Sequence, residues 1–272
     1  MARVKARDGT KLYVKTWGEG RPVVLIHGWP LSSDTWDDLA LTLAEEGHRV
    51  VAYDRRGFGR SDQPWSGHDY DTFSDDLAAV LEATDSGKHA TLVGFSMGGG
   101  EVARYMSRHK GAGVDKAVLI GSVVPGLLKT ADRPEGVPRE VFEGMISGIR
   151  ADRPKFFAGF AKAFYGFGKT SVSEEVLNWT FDMAMQAGLR GTVECVKAFG
   201  ATDFRPDLAA FKVPTLVIHG DDDQIVPIDV SARAAAKGIK GARLHEIKGG
   251  PHGLLASHKD EIARSLSAFL KA

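Results

Sequence analysis

Short apolar runs alternate along this chain with longer stretches whose apolar positions recur at helical spacing. The runs Leu12–Trp17, Pro22–His27, Arg49–Asp54, Ala90–Phe95, Lys116–Gly121, Thr215–His219 and Arg243–Lys248 have strand character. Between them lie helical patterns at Thr35–Glu46, Thr72–Thr84, Met97–His109, Ile228–Lys237 and Lys259–Leu270. Val23-Val24-Leu25-Ile26 is continuously apolar, as burial on both faces of a sheet requires. Strand–helix alternation of this kind predicts an α/β fold, with a mostly parallel sheet flanked by helices. Reacting groups are then expected on loops at the C-terminal ends of the strands.

The alternation breaks between Val124 and Phe211. Helical stretches rich in aromatics take over at Arg139–Ile149, Lys155–Tyr165, Glu174–Gln186 and Leu189–Gly200. Neither end of this region has the composition of a linker. It reads as a helical cap, residues 124–211, inserted into a core formed by residues 1–123 and 212–272.

Composition narrows the field. The 272 residues are 43% hydrophobic and 26% charged, ordinary values for a soluble chain able to bury a full core. Thirty-five basic residues balance 35 acidic ones, so no net field favours nucleic acid or an anionic membrane. The single cysteine, Cys195, forms no intrachain disulfide, and the N-terminal segment lacks an apolar signal core. A cytoplasmic protein acting on small molecules is expected. No P-loop is visible, and the histidines lack a metal-ligand spacing such as H-E-x-x-H, so neither cofactor nor metal is expected.

Gly94-Phe95-Ser96-Met97-Gly98 carries the sharpest chemistry. It fits G-x-S-x-G between a strand and a helix, the nucleophile elbow that leaves the serine Oγ exposed on a strained turn. A serine hydroxyl is a poor nucleophile at neutral pH. It needs a base within hydrogen-bond reach, itself oriented by a carboxylate. In the order Ser…Asp…His, the partners belong on loops after later strands. His219-Gly220-Asp221-Asp222-Asp223-Gln224-Ile225-Val226-Pro227 and Gly249-Gly250-Pro251-His252-Gly253 stand there. His252, bracketed by glycine and proline after the last strand, is the expected base. His48, His68, His89, His109 and His258 read as solvated, His245 lies inside the last strand, and His27 and His219 read as braces for their loops. Of the three aspartates, Asp223 is the best-placed acid; Asp221 is suited to capping the turn and Asp222 to solvent. The oxyanion of a tetrahedral intermediate needs two backbone donors. The N–H of Met97 follows from the elbow. The second should come from His27-Gly28-Trp29-Pro30, where proline cannot donate and Trp29 can.

On these residues the whole chain resembles the α/β-hydrolase superfamily, and within it the bacterial aryl esterases and cofactor-free (non-haem) haloperoxidases, or perhydrolases. The matching segments are His27–Pro30, Tyr53–Ser61, Gly94–Gly99, Thr202–Arg205, His219–Pro227 and Pro251–Gly253. The resemblance supports Asp223 as the acid and Trp29 with Met97 as oxyanion donors. It gives Asp54–Ser61 a structural role, and implies a substrate pocket formed by Trp29, Phe160, Phe164, Phe199, Ile225 and Val226. Gly126-Leu127-Leu128 departs from relatives that often carry an aromatic there, which bears on pocket size. Relatives of this kind often self-associate, so a homo-oligomer is compatible with the resemblance.

The expected activity is that of a serine carboxylesterase for small, fairly apolar esters. Three alternatives use the same scaffold: perhydrolysis, favoured by the rigid Pro30 beside Trp29; γ-lactam hydrolysis; and a non-catalytic ligand receptor. Epoxide hydrolases and haloalkane dehalogenases resemble the fold but carry aspartate where Ser96 stands.

Overall fold

The computed structural model describes residues 2–272. Among the described residues eight strands form one sheet: β1 (Ala2–Lys5), β2 (Lys11–Trp17), β3 (Arg21–Ile26), β4 (His48–Tyr53), β5 (Ala90–Phe95), β6 (Val114–Ile120), β7 (Thr215–Gly220) and β8 (Arg243–Ile247). Their order is β1-β2-β4-β3-β5-β6-β7-β8. β1 and β2 are antiparallel, as are β2 and β4, and every other pair is parallel. β1 has no counterpart in the pattern of apolar runs. Its four residues Ala-Arg-Val-Lys place only one large apolar side chain, Val4, into the core, too little for periodicity to register.

The helices are α1 (Asp37–Glu45), α2 (Tyr70–Ala83), α3 (Met97–Arg108), α4 (Arg139–Tyr165), α5 (Glu174–Gln186), α6 (Leu189–Ala201), α7 (Ala234–Gly238), α8 (Leu254–Ser257) and α9 (Lys259–Lys271). Two apolar clusters form the core, one on each face of the sheet. In one, Leu39 and Leu43 of α1 and Ile262, Leu266 and Phe269 of α9 meet Val23, Leu25, Val93, Val118 and Ile218. In the other, Phe73, Leu77 and Val80 of α2 and Val102 and Met106 of α3 meet Val24, Val51, Leu92 and Leu119. Alternate residues of one strand thus serve opposite layers, which is why the central strands are apolar throughout.

Helix starts follow local chemistry. Asp69 accepts from the Thr72 N–H and caps α2, and Ser173 accepts from the Val176 N–H ahead of α5. The expected helix Thr35–Glu46 begins as a 3-10 turn, Ser33–Trp36, before α1. Ile228–Lys237 opens with a π turn, Asp229–Arg233, before α7. The two stretches expected at Arg139–Ile149 and Lys155–Tyr165 run together as α4, broken at Asp152, whose φ of −157° and ψ of 86° are not helical. Pro154 explains the break: it cannot donate inside a helix but fits a first turn. Asp152 caps that second start by accepting the Lys155 N–H at 2.9 Å.

β6 and β7 are hydrogen-bonded neighbours, yet α4, α5 and α6 intervene between them in the chain. The parallel registers Ile26↔Gly94, Phe95↔Ile120, Ile120↔Ile218 and Gly220↔Ile247 end the central strands nearly level. The segments starting at His27, Ser96, Gly121, Asp221 and Lys248 therefore leave the sheet along one edge.

Candidate active site

Ser96 joins β5 directly to α3, and its backbone adopts φ 53° and ψ −119°. A side-chain-bearing residue held there costs about 1–3 kcal/mol, which the surrounding packing must supply. Two glycines make the turn possible. A Cβ on Gly94 would stand 2.5 Å from the Gly98 carbonyl oxygen, and one on Gly98 would stand 2.3 Å from the Ile26 carbonyl oxygen. The elbow is thus wedged between its own helix and the exit of β3.

Ser96, His252 and Asp223 meet in one chain of hydrogen bonds. His252 Nε2 lies 2.9 Å from Ser96 Oγ, and His252 Nδ1 lies 2.6 Å from Asp223 Oδ2. All three side chains are buried. Asp223 Oδ1 accepts the N–H groups of Ile225 at 2.9 Å and Val226 at 2.8 Å. His219 Nε2 lies 3.1 Å from Asp223 Oδ2 and donates to the Val226 carbonyl at 2.8 Å. Burial works to raise the Asp223 carboxyl, but His252 and His219 outweigh it and hold the group below its ordinary range. Asp223 therefore stays ionised, and as an acceptor it places the His252 proton on Nδ1 and leaves Nε2 free to take one from Ser96.

The neighbours of Asp223 have separate tasks. Asp221 Oδ1 accepts the Gly249 N–H at 2.5 Å, tying the acid loop to the base loop. Asp222 is paired with Lys169 at 2.8 Å on the surface. His219 and His27 are both fully buried and bonded into their loops. His68 departs from expectation. Rather than solvated, it is buried against Gly57 and Gly191, with Nε2 bonded to the Pro64 carbonyl at 3.0 Å. Its polar sequence neighbours gave no sign of the chain folding over it.

Two backbone N–H groups, those of Trp29 and Met97, are candidates to receive an oxyanion formed at Ser96. Gly28 passes so close that a Cβ on it would lie 2.9 Å from Ser96 Cβ. The Gly28 carbonyl accepts His27 Nδ1–H at 2.8 Å and the Leu31 N–H at 3.0 Å. In a trans peptide the N–H points opposite the carbonyl, so these two bonds fix the direction of the Trp29 N–H. The Met97 N–H opens α3, at the positive end of its dipole. Among the described residues neither N–H is spent on another group.

A narrow cavity of about 40 Å³ opens onto Ser96 and His252. Trp29, Phe160, Phe199, Ile225 and Val226 line it, together with Leu127 from the segment expected to bear on pocket size, and with Phe142 and Met145, which sequence reasoning did not select. Helical spacing alone does not separate a wall residue from a core residue. The Trp29 ring is held by Phe157, Phe160 and Phe199 at 5.3–5.7 Å between centroids, and its Nε1 donates to the Thr192 carbonyl at 3.0 Å. Phe164 falls outside this lining. It packs edge-on against the His252 ring at 5.0 Å and faces a separate surface groove of about 360 Å³ behind it. Its carbonyl accepts the Gly253 N–H at 2.7 Å, so it braces the base loop.

Among the described residues no three His, Cys, Asp or Glu side chains are grouped to hold a metal ion, and no helix is long and apolar enough to cross a membrane. The arrangement suits acyl transfer: a serine hydroxyl, an imidazole oriented by an ionised carboxylate, and an apolar cavity beside them.

Residues 21–259 match the family model for the alpha/beta hydrolase fold. The chain belongs to that family. It is 45% identical over 275 residues to a non-heme haloperoxidase of Rhodococcus erythropolis, with all of both chains covered. It is 42% identical over 278 residues to a bifunctional esterase/perhydrolase of Acinetobacter calcoaceticus, again over the full length of both. The crystal structure of a bromoperoxidase from Bacillus anthracis superposes with a TM-score of 0.96 at 45% identity, covering 100% of this chain and 99% of that one. The α/β-hydrolase resemblance read from the motifs is thereby shown.

Proposed function

We propose that this serine hydrolase is a carboxylesterase for small, fairly apolar esters. The observation that carries the reading is the unbroken Ser96–His252–Asp223 relay, bonded at 2.9 and 2.6 Å, at the mouth of an apolar cavity. Ser96 Oγ attacks the acyl carbon as His252 Nε2 takes its proton, and the ionised Asp223 stabilises the imidazolium that forms. The N–H groups of Trp29 and Met97 receive the oxyanion, each contributing on the order of 3 kcal/mol at the transition state. His252 returns the proton to the leaving alcohol, then activates water to release the acid. Residues 124–211 act as a helical cap over the core, its Phe160 and Phe199 excluding water from the acyl-enzyme. The single thiol, on fully buried Cys195, suits a reducing cytoplasm. Turnover of p-nitrophenyl acetate tests the reading: Ser96→Ala should abolish it, and equal turnover by the variant would remove the enzyme assignment in favour of a ligand receptor.

Perhydrolysis is the second reading, favoured by the full-length similarity to an esterase/perhydrolase and by Pro30 beside Trp29. Peroxide would replace water at the acyl-enzyme, giving a peracid. Pro30 restricts the backbone that carries the Trp29 carbonyl near the attacking nucleophile. The ratio of peracid to acid should fall in Pro30→Leu, and an unchanged ratio would dismiss the proline's part.

A further inference from the structure

The two oxyanion donors belong to different pieces of the chain, and one buried side chain ties those pieces together. Trp29 follows β3, whereas Met97 opens α3. Arg55, at the exit of β4, reaches both. Its Nε donates to Glu101 Oε2 at 2.8 Å, and Glu101 lies on α3, four residues after Met97. Its Nη2 donates to the His27 carbonyl at 2.7 Å, two residues before Trp29, and its backbone N–H donates to His27 Nε2 at 2.9 Å. That last bond makes Nε2 an acceptor and puts the His27 proton on Nδ1, the atom that holds the Gly28 carbonyl. The other Glu101 oxygen accepts the Tyr53 hydroxyl. Arg55 and Glu101 are both fully buried. A buried ion pair is a poor source of stability compared with apolar side chains of similar size, so its presence under this site invites another account.

We infer that Arg55 is a positioning residue that sets the distance between the Trp29 and Met97 N–H groups by bridging the His27 carbonyl and Glu101. The bridge rests on the esterase reading above and deepens it. The planar guanidinium suits the task because its donors are fixed in angle, so the two anchors cannot drift independently. A lysine would keep the charge but serve only one anchor at a time. Arg55 lies outside both the cavity lining and the serine relay, so the clamp acts through backbone placement and not by contact with substrate.

A thionoester tests this directly. Replacing the carbonyl oxygen by sulfur leaves the acyl and leaving groups intact but weakens acceptance from N–H donors, so an intact hole prefers the oxygen ester. Preference is measured as the ratio of kcat/KM for p-nitrophenyl acetate to that for its thiono analogue. In Arg55→Lys and in the paired Arg55→Met/Glu101→Leu, which leaves no unpaired buried charge, that ratio should fall about ten-fold, a fraction of the loss of a whole donor. KM for the oxygen ester should change less than about three-fold, because ground-state binding does not use the hole. Glu101→Gln keeps an acceptor for Arg55, while its NH2 turns the Tyr53 hydroxyl from donor to acceptor, and it should keep the ratio near that of the wild type. Melting curves identify any variant that fails to fold; the ratio is then read from the other of the two. Active variants with an unchanged ratio would overturn the clamp. A wild type inactive on both esters would instead overturn the esterase reading.

Discussion

Replacing Asp223 by asparagine should do more damage than deleting its carboxyl altogether. The reason lies in which of its two oxygens is committed. Oδ1 accepts two backbone N–H groups, from Ile225 and Val226, and these donors have no other state to adopt. Turning the asparagine NH2 towards them would leave two buried donors facing a donor, at about 1–3 kcal/mol each. The amide oxygen must therefore stay there, and the NH2 takes the Oδ2 position, 2.6 Å from His252 Nδ1. His252 then accepts at Nδ1 and carries its proton on Nε2, aimed at Ser96 Oγ, where it cannot act as base. The NH2 also meets His219 Nε2–H, a single donor–donor conflict against the two that the opposite orientation would create. A wrong tautomer costs about 10⁴ in kcat, close to 5 kcal/mol of barrier. Asp223→Ala leaves His252 free to choose its tautomer, and should retain more activity than Asp223→Asn. Pre-steady-state release of p-nitrophenol from p-nitrophenyl acetate reads the acylation rate for both. Equal or greater activity in Asp223→Asn would refute the orientation argument.

Four further outcomes follow from the same geometry. The cavity of about 40 Å³ holds two or three water-sized groups, so acetyl and propionyl esters should outpace hexanoyl esters in kcat/KM. Phe160→Ala, which removes a ring from its wall, should raise the hexanoyl-to-acetyl ratio by about ten-fold; a ratio unmoved would place the acyl chain elsewhere. Gly98→Ala forces a Cβ to 2.3 Å from the Ile26 carbonyl oxygen, and should lose about 2–3 kcal/mol in urea unfolding together with esterase activity. Asp223 has a lowered folded-state carboxyl, so its stabilising contribution is complete above the unfolded value near 3.9 and fades as pH falls through the folded one. The stability gap between wild type and Asp223→Asn should accordingly shrink in urea titrations as pH drops from about 5 to 3; a gap that widens would reverse the sign.

Several of these features were legible in the residues alone, and the reasons differ. The elbow declares itself because its glycines answer a local backbone demand, so spacing and geometry are the same fact. The parallel strands declare themselves because burial on both faces strips them of polar residues. β1 does not, being a four-residue edge with charged neighbours. Asp223 could be favoured over its adjacent carboxylates by its place in the loop. What separates the three is their partners, since Asp221 binds the base loop and Asp222 a surface lysine.

The chain's own pattern of apolar runs, glycines and chemically active side chains determined the fold class and the order in which the proposed nucleophile, acid and base appear. Local rules govern those features: steric limits on a turn, and the period of a strand or helix. Tertiary structure alone decided that Phe164 braces the base loop while Phe160 walls the cavity, that His68 is buried, and that Arg55 joins two distant segments. These depend on which helix face turns inward and on contacts between residues far apart in sequence, and no local period encodes them.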